Sequence, residues 1–317
     1  MLPLSRRAIV LGMPLLTLAP GDFAVRASEP AKAKPQHYYS DYISFVGSDE
    51  RGYVYLAHDN NRGQTGDQYF ADHWIAMYDD ATGWVDIAGS AHYPNREKLL
   101  SSIPDSEHFQ FSGRAETGLS FNSASNNMAL SIEPLPRTLL RENADGVFWV
   151  GGAPATFVWK GRKLHGRVLF EYLQRHNWNR FTEAFEANWR NFNGLYLMTS
   201  TGADFYVHYH EREGGSDLTG RLVGLASWAV PAPVSNLDFE IASTVAVPWR
   251  SYRCPSRWRV DFDHAGRSWR LELFTAERRN IADWTTGGFF MSTVEGRISA
   301  LKGSEQLDVI GWAELLL

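Results

Sequence analysis

The strongest constraint on this chain is a rhythm. From Tyr38 onward, short runs of β-branched and aromatic residues follow one another, separated by Gly, Asp and Asn. "YISFVG", "GYVYLAHD", "DHWIAMYDD", "GWVDIAG" and "HFQFSGRA" come first, then "ADGVFWVGG" and "TFVWKGRKLHGRVLFEYL". In the last of these, Val168, Phe170 and Tyr172 alternate with Arg167, Leu169 and Glu171, the period-two pattern of a strand. After Trp189 the rhythm restarts in "GLYLMTS", "DFYVHYHE" and "RLVGLASWAV" and runs through to "LDVIGWAELLL". Such a succession predicts an all-β, antiparallel fold. It groups into two sets of about seven or eight strands, which suits two consecutive closed or nearly closed β-barrels. The predicted boundary lies near residue 180, with an N-terminal barrel over 37–180 and a C-terminal barrel over 181–317. Two stretches are candidates for short helices, "NREKLLSSI" (95–103) and "NRFTEAFEANW" (179–189).

The first residues have a different character. "LSRRAIVLGMPLLTLAPGDFAVRAS" places Arg6-Arg7 before an apolar stretch from Ala8 to Ala19, with small residues around Val25-Arg26-Ala27. This is a secretory signal layout, too short for a membrane span, and the arginine pair suits the twin-arginine route. Residues 1–36 are therefore expected to be signal peptide and linker, and the mature protein periplasmic or secreted, with no integral membrane segment.

Asp and Glu outnumber Lys and Arg, 36 to 31, and no basic tract stands out. Nucleic acid is excluded as a partner, since phosphate binding needs clustered positive charge. The single cysteine, Cys254, allows no internal disulfide and no Cys-pair zinc site, and reads as a small buried hydrophobe. The 12 Trp and 13 Tyr can fill a β core, line an apolar cavity or stack on sugar rings. No phosphate cradle and no "GxSxG" elbow is present. "HDNNRGQTGDQ" (58–68) lacks the acidic spacing of a calcium loop, and its Asp59, Asn60, Asn61 and Asp67 read as turn formers.

Three constellations can carry chemistry. On a strand "ADFYVHYHE", Asp204, Tyr206, His208 and His210 share one face. Facing a cavity, that face offers a carboxyl whose pKa burial would raise; facing water, it is an ordinary wet face. His208 and His210 can ligate a metal, but no third ligand is nominated, so no metal site is assigned. Arg167 and Glu171 share a face and read either as a surface ion pair or as part of a site. His176 and Trp178, in "EYLQRHNWNR", share a face if the strand persists.

"FEYLQRHNWNR" followed by "FEANWRNFNGLYLMTSTGADFYVHY" resembles the junction between the two lipocalin-like domains of the carotenoid 1,2-hydratase and AttH-like superfamily. The order of "YRCPSRWRVDF", "SWRLELFT", "FFMSTVEGRIS" and "DVIGWAELL" is similar to that of the second-domain strands. The resemblance covers about residues 145–317 well and 38–144 in general character. It implies two lipocalin-like barrels. The superfamily includes hydratases that protonate an isoprenoid double bond and fungal relatives that promote pericyclic cyclisations, so fold alone does not choose the reaction.

Carried over residue by residue, the resemblance gives His176 and Trp178 the places of the family's "HNW" histidine and tryptophan. Asp204 and Tyr206 stand near the family's Tyr and Asp, in reversed order. Arg175 replaces the acid usual before "HNW" and Asn179 the glycine usual after it, departures that point away from hydratase chemistry itself. The expectation is an exported enzyme needing no cofactor. It would bind a small hydrophobic isoprenoid- or polyketide-like molecule at the domain junction and act on it by acid-assisted hydration, isomerisation or cyclisation. Asp204 would donate the proton, His176 and Tyr206 would tune it, and Trp178, Glu171 and His208 would contact the substrate. The rival readings are a non-catalytic hydrophobic-ligand carrier and a carbohydrate-active β protein.

Overall fold

The computed structural model describes residues 36–65, 68–87, 91–92, 108–137, 139–143, 146–176, 190–199, 201–212, 215–224, 234–248, 250–284 and 287–317. None of these is helical, and none forms a helix long and apolar enough to cross a membrane. Both helix candidates, 95–103 and 179–189, lie outside the described residues, as does Trp178.

Among the described residues, nineteen strands form two antiparallel sheets. The first holds β1 (Gln36–Asp49), β2 (Gly52–Thr65), β3 (Gln68–Asp79), β4 (Gly83–Val85), β5 (Ala91–His92), β6 (Gln110–Arg114), β7 (Gly118–Ser123), β8 (Met128–Ile132), β9 (Leu139–Asn143), β10 (Gly146–Trp159) and β11 (Arg162–His176). Its order is β4-β3-β2-β1-β11-β10-β8-β7-β6, with β5 on β3 and β9 on β10. The second holds β12 (Arg190–Thr199), β13 (Ala203–Arg212), β14 (Gly215–Gly224), β15 (Ser235–Ala246), β16 (Arg253–His264), β17 (Arg267–Trp284), β18 (Gly287–Ala300) and β19 (Gln306–Leu316). Its order is β14-β13-β12-β19-β18-β17-β16-β15, and the two edge strands β14 and β15 approach each other as the sheet curls. The architecture is all-β, with two curled sheets of lipocalin-like form.

Tight turns set the registers. Lys160-Gly161 and Ala265-Gly266 both have positive φ at two successive residues, the mirror-image turn whose twist matches a hairpin. They lock Trp159 opposite Arg162 and His264 opposite Arg267.

Alternation then sorts side chains between three cores. On β2, Val54 and Leu56 enter the first barrel, and Tyr55 and Ala57 face the second. On β12, Leu195 and Leu197 enter the second barrel, and Tyr196 and Met198 face the first. The barrels thus share a seam made of the outer faces of β1, β2, β10 and β11 against those of β12, β13, β18 and β19. This is why residues 40–47 of β1 are buried on both faces and show little hydrophobic alternation. Tyr42, Leu169, Tyr206, Met291 and Trp312 are buried in the seam. Burying a large side chain there contributes about 1.5–3 kcal/mol each. Cys254 is buried in the second core, as its sequence context suggested.

Two readings of the sequence need correction. "HDNNRGQTGDQ" is no loop: His58 to Thr65 belong to β2, and Gln68 starts β3. Its polar side chains are satisfied by β1 and by neighbours two residues along β2 rather than by local turns. Asp59 accepts from Ser40 Oγ at 3.1 Å, and Arg62 donates to Asp41 and to Asn60 at 2.6 Å. The Arg167–Glu171 ion pair does not form either. Residues four apart on a strand are about 13 Å apart, so each finds its partner across the seam.

Candidate functional site

The seam carries a chain of hydrogen-bonded acids and phenols. Glu171 projects from β11 on the face opposite the core residues Phe170 and Tyr172. Tyr196 of β12 donates its phenol proton to Glu171 Oε2 at 3.1 Å. Tyr206 of β13 also hydrogen-bonds to Glu171, and its phenol lies 3.0 Å from His208 Nδ1. On the other side Tyr196 hydrogen-bonds to Glu314 of β19. The result is a continuous path, His208–Tyr206–Glu171–Tyr196–Glu314, built from four strands of both barrels.

Aromatic rings wall this path. Tyr42 stacks on Tyr196 with centroids 4.4 Å apart and a 24° interplanar angle. Trp74 meets Tyr42 edge-on at 6.1 Å and Phe289 at 4.9 Å. Phe148 lies 6.2 Å from Tyr206, and Phe192 packs edge-on against His208 at 4.8 Å. The Tyr42 phenol is 3% exposed and makes no hydrogen bond among the described residues.

Burial decides the protonation of the acids. Desolvation pushes Glu171 up to about 7, against the pull of the phenols of Tyr206 and Tyr196, with the nearby Asp59 carboxylate adding to the rise. Glu314 is raised well above the usual carboxylate range by the same burial, by Asp59 and by Glu171. Asp59 itself is held by donors from Asn61 at 2.7 Å and the Trp74 indole at 3.1 Å, besides Ser40. A protonated Glu314 can donate to the Tyr196 oxygen while Tyr196 donates to Glu171, so each phenol and carboxyl in the path has a consistent role.

Asp204 is placed differently. It is fully buried, and Arg167 grips both its oxygens, Nε to Oδ1 at 2.7 Å and Nη2 to Oδ2 at 2.5 Å. Burial lifts its pKa to about 6 against the guanidinium, which leaves it ionised at neutral pH. Gly152 makes this possible, because a Cβ there would collide with the Asp204 carboxylate. An ionised, bidentate carboxylate is a poor proton donor and a good clamp between β11 and β13.

The structure therefore brings Glu171, Tyr206 and His208 together at the seam and puts Asp204 on the same strand face, further along it. Of the two readings open for that face, the solvent-wetted one does not hold, since Asp204 and Tyr206 are both buried. His176 closes β11 opposite His37, and its backbone alone is described. Trp178 lies outside the described residues. Sequence reasoning missed Tyr42, Asp59, Tyr196 and Glu314. A signal existed for the last: in "GWAELLL" Glu314 shares a strand face with Trp312 and Leu316, an acid between two apolar side chains. Tyr196 had none, because "GLYLM" is apolar on both faces. No cluster of three or more metal-ligating side chains exists among the described residues.

No family model matches the chain, and no curated protein matches it significantly. Solved structures do match. Kievitone hydratase from Nectria haematococca is similar over 89% of each chain, with a TM-score of 0.52 and 11% identity. CghA covers 88% of each chain at a TM-score of 0.48 and 10% identity. An AttH-type protein from Nitrosomonas europaea covers 94% of this chain and 99% of its own, at a TM-score of 0.48 and 12% identity. At such identities the likeness to kievitone hydratase establishes a shared fold over both barrels, in agreement with the resemblance seen in the sequence.

Proposed function

We propose that the protein is an enzyme that protonates a small hydrophobic isoprenoid- or polyketide-like molecule at the barrel junction, with Glu171 as the proton donor. The observation that carries this is a carboxyl held near neutrality by burial, hydrogen-bonded to two phenols and walled by aromatic rings. A general acid works best with a pKa near the working pH, and Glu171 meets that condition while Asp204 is tied to Arg167.

The chemistry follows from the path. Glu171 gives its proton to one carbon of an alkene, and the π pair becomes the new C–H bond. The cationic centre left on the other carbon lies among the faces of Tyr42, Trp74 and Phe289, which attract positive charge. Water adding there returns a proton to the Glu171 carboxylate, which gives hydration; loss of a neighbouring proton to that carboxylate gives isomerisation; attack by a second double bond closes a ring and moves the cation, which then loses a proton to the carboxylate, and this gives cyclisation. Tyr196 and Tyr206 stabilise the carboxylate between steps. Kievitone hydratase, by its name a hydratase, shares the fold and makes water addition a natural first assay. The Arg6-Arg7 pair and the following apolar stretch support export.

A non-catalytic carrier would use the same aromatic walls without needing an acid near neutrality. A carbohydrate-active site would need Trp rings open to solvent, whereas Trp149, Trp159, Trp258, Trp269 and Trp312 are all buried. Small molecules co-purifying with the protein are to be identified by mass spectrometry and incubated with it in D₂O. The expected result is a terpenoid or polyketide that gains deuterium at carbon, with Glu171→Gln binding it but slower by about 10²–10⁴-fold, the usual worth of a positioned general acid. Undiminished turnover by Glu171→Gln sinks the role of Glu171. Binding without turnover by the unmodified protein supports the carrier.

A further inference from the structure

A second polar feature of the seam lies away from Glu171. At the Arg167 end a cleft of about 270 Å³ opens between the barrels, with Val46, Ser48, Tyr53, Arg167, Met198 and Ile310 among its walls. Leu169, fully buried, stands between Arg167 and Glu171 on the same face of β11, so the cleft is separate from the acid path. The cleft and the acid path share no residue, so a ligand held here is independent of proton donation by Glu171.

The wall residue Arg167 is not free to turn. Its Nε and Nη2 are fixed on the two oxygens of the buried Asp204, and Gly152 leaves the space for that carboxylate. Among the described residues its Nη1 makes no hydrogen bond. A guanidinium anchored on one edge presents its remaining N–H donors in a fixed direction, which is how a recognition arginine is set.

The charge around it selects the kind of oxygen it can hold. Asp204 already balances the guanidinium, Glu133 acts on it as well, and Asp308 lies on the cleft wall. An anion entering here meets no net positive field. A neutral acceptor satisfies the spare donors without adding charge. Val46, Met198, Ile310 and the Tyr53 ring give the cleft an apolar part, Ser48, His165 and Thr199 add polar groups at its wall, and the volume suits one ring or a short chain.

We infer that this cleft is a binding site for a small uncharged molecule with an apolar body and a carbonyl oxygen, the oxygen accepting from Arg167 Nη1. Met198 supplies the test, because it lines the cleft and its methyl group can be followed by NMR in the full chain labelled at methionine methyls. Acetophenone is the probe, with ethylbenzene lacking the oxygen and benzoate carrying a charge. Acetophenone should shift the Met198 resonance saturably; ethylbenzene, which lacks the acceptor, should bind at least about fivefold more weakly, the usual worth of one hydrogen bond, and benzoate should bind more weakly because it brings a charge that the Asp204-paired guanidinium does not balance. Ser48→Trp, which fills the cleft and leaves the ion pair intact, should weaken acetophenone by about tenfold or more, as a lost apolar pocket does. The double change Arg167→Met with Asp204→Asn should reduce acetophenone to the affinity of ethylbenzene. The inference is overturned if acetophenone gives no saturable shift, if ethylbenzene or benzoate binds as well, or if Ser48→Trp changes nothing. Should the double variant fail to fold, the comparators and Ser48→Trp still decide.

Discussion

Tyr196 lies stacked on Tyr42, yet only Tyr196 has a use for its hydroxyl: it donates to Glu171 at 3.1 Å while the Tyr42 phenol makes no hydrogen bond among the described residues. Two rings of the same chemistry, 4.4 Å apart, therefore answer truncation differently. Tyr196→Phe removes the hydrogen bonds to two half-buried acids, Glu171 and Glu314, and should cost about 1–2 kcal/mol. It should also raise the Glu171 pKa above its present value of about 7, since the bond to Glu171 favours the carboxylate. Tyr42→Phe removes a buried hydroxyl with nothing to lose and should be neutral or stabilising by up to about 1 kcal/mol. Denaturant unfolding of the two variants checks the order, and equal losses would contradict it.

The raised Glu171 makes stability depend on pH in a stated direction. In the unfolded chain its carboxyl ionises near 4.5, and in the folded protein near 7. Between those values the folded state binds the proton that the unfolded state has lost. Stability is therefore full below about pH 4.5, falls as pH rises through that window, and levels off above 7. The fall attributable to Glu171 is about 3 kcal/mol, and Glu314 acts in the same sense. Glu171→Gln should flatten this part of the profile and be more stable than the parent at about pH 8, where the parent carries the full penalty. Urea midpoints measured from about pH 4 to 8 test it, and a parent whose stability rises across the window would refute it.

The period-two pattern made most of the fold legible before any coordinates. What it could not show was which face of each strand looks inward, because β1, β2, β11 and β12 are covered on both sides. An isolated barrel would have put Asp204 and Tyr206 in water; a second barrel behind the strand buries them. The same cause hid the acid path. Glu171 and Glu314 are 143 positions apart in the numbering, and only the packing of two outer faces brings them to one phenol. The Arg167 partner was illegible for a related reason: strand spacing rules out Glu171, and the choice of Asp204 depends on the small Gly152 across the seam. "HDNNRGQTGDQ" misled because its Asn and Asp residues favour turns locally, while Ser40 across the ladder and Arg62 along the same strand satisfy Asp59 and Asn60 in β2.

Trp312 measures how far the seam holds the barrels together. It is fully buried, 5.8 Å from Tyr55 edge-on and 5.8 Å from Trp84, and its indole N–H has no acceptor among the described residues. Trp312→Ala should cost about 3–5 kcal/mol through the cavity it leaves. Trp312→Phe keeps an aromatic ring, gives up an unpaired donor and leaves a smaller cavity, so its cost should be smaller than that of Trp312→Ala. Thermal unfolding of both variants distinguishes this from a hydrogen-bonding role, for which the two would lose similar stability.

Gly152 and Asp204 give the sharpest structural test. Asp204→Ala strands the Arg167 guanidinium in a half-buried place and should cost about 3–5 kcal/mol, the usual penalty for breaking a buried pair. Removing both charges together, Arg167→Met with Asp204→Asn, should cost less than Asp204→Ala alone, because no buried charge is left without a partner. Gly152→Ala keeps both charges but drives a methyl group into the Asp204 carboxylate, and should destabilise by about 1–3 kcal/mol. That loss should largely vanish when Gly152→Ala is combined with Asp204→Ala, which vacates the space the methyl group needs. A double-mutant cycle measured by denaturant unfolding reads this coupling directly. Additive costs for Gly152→Ala and Asp204→Ala would mean that Gly152 is small for some reason other than the ion pair.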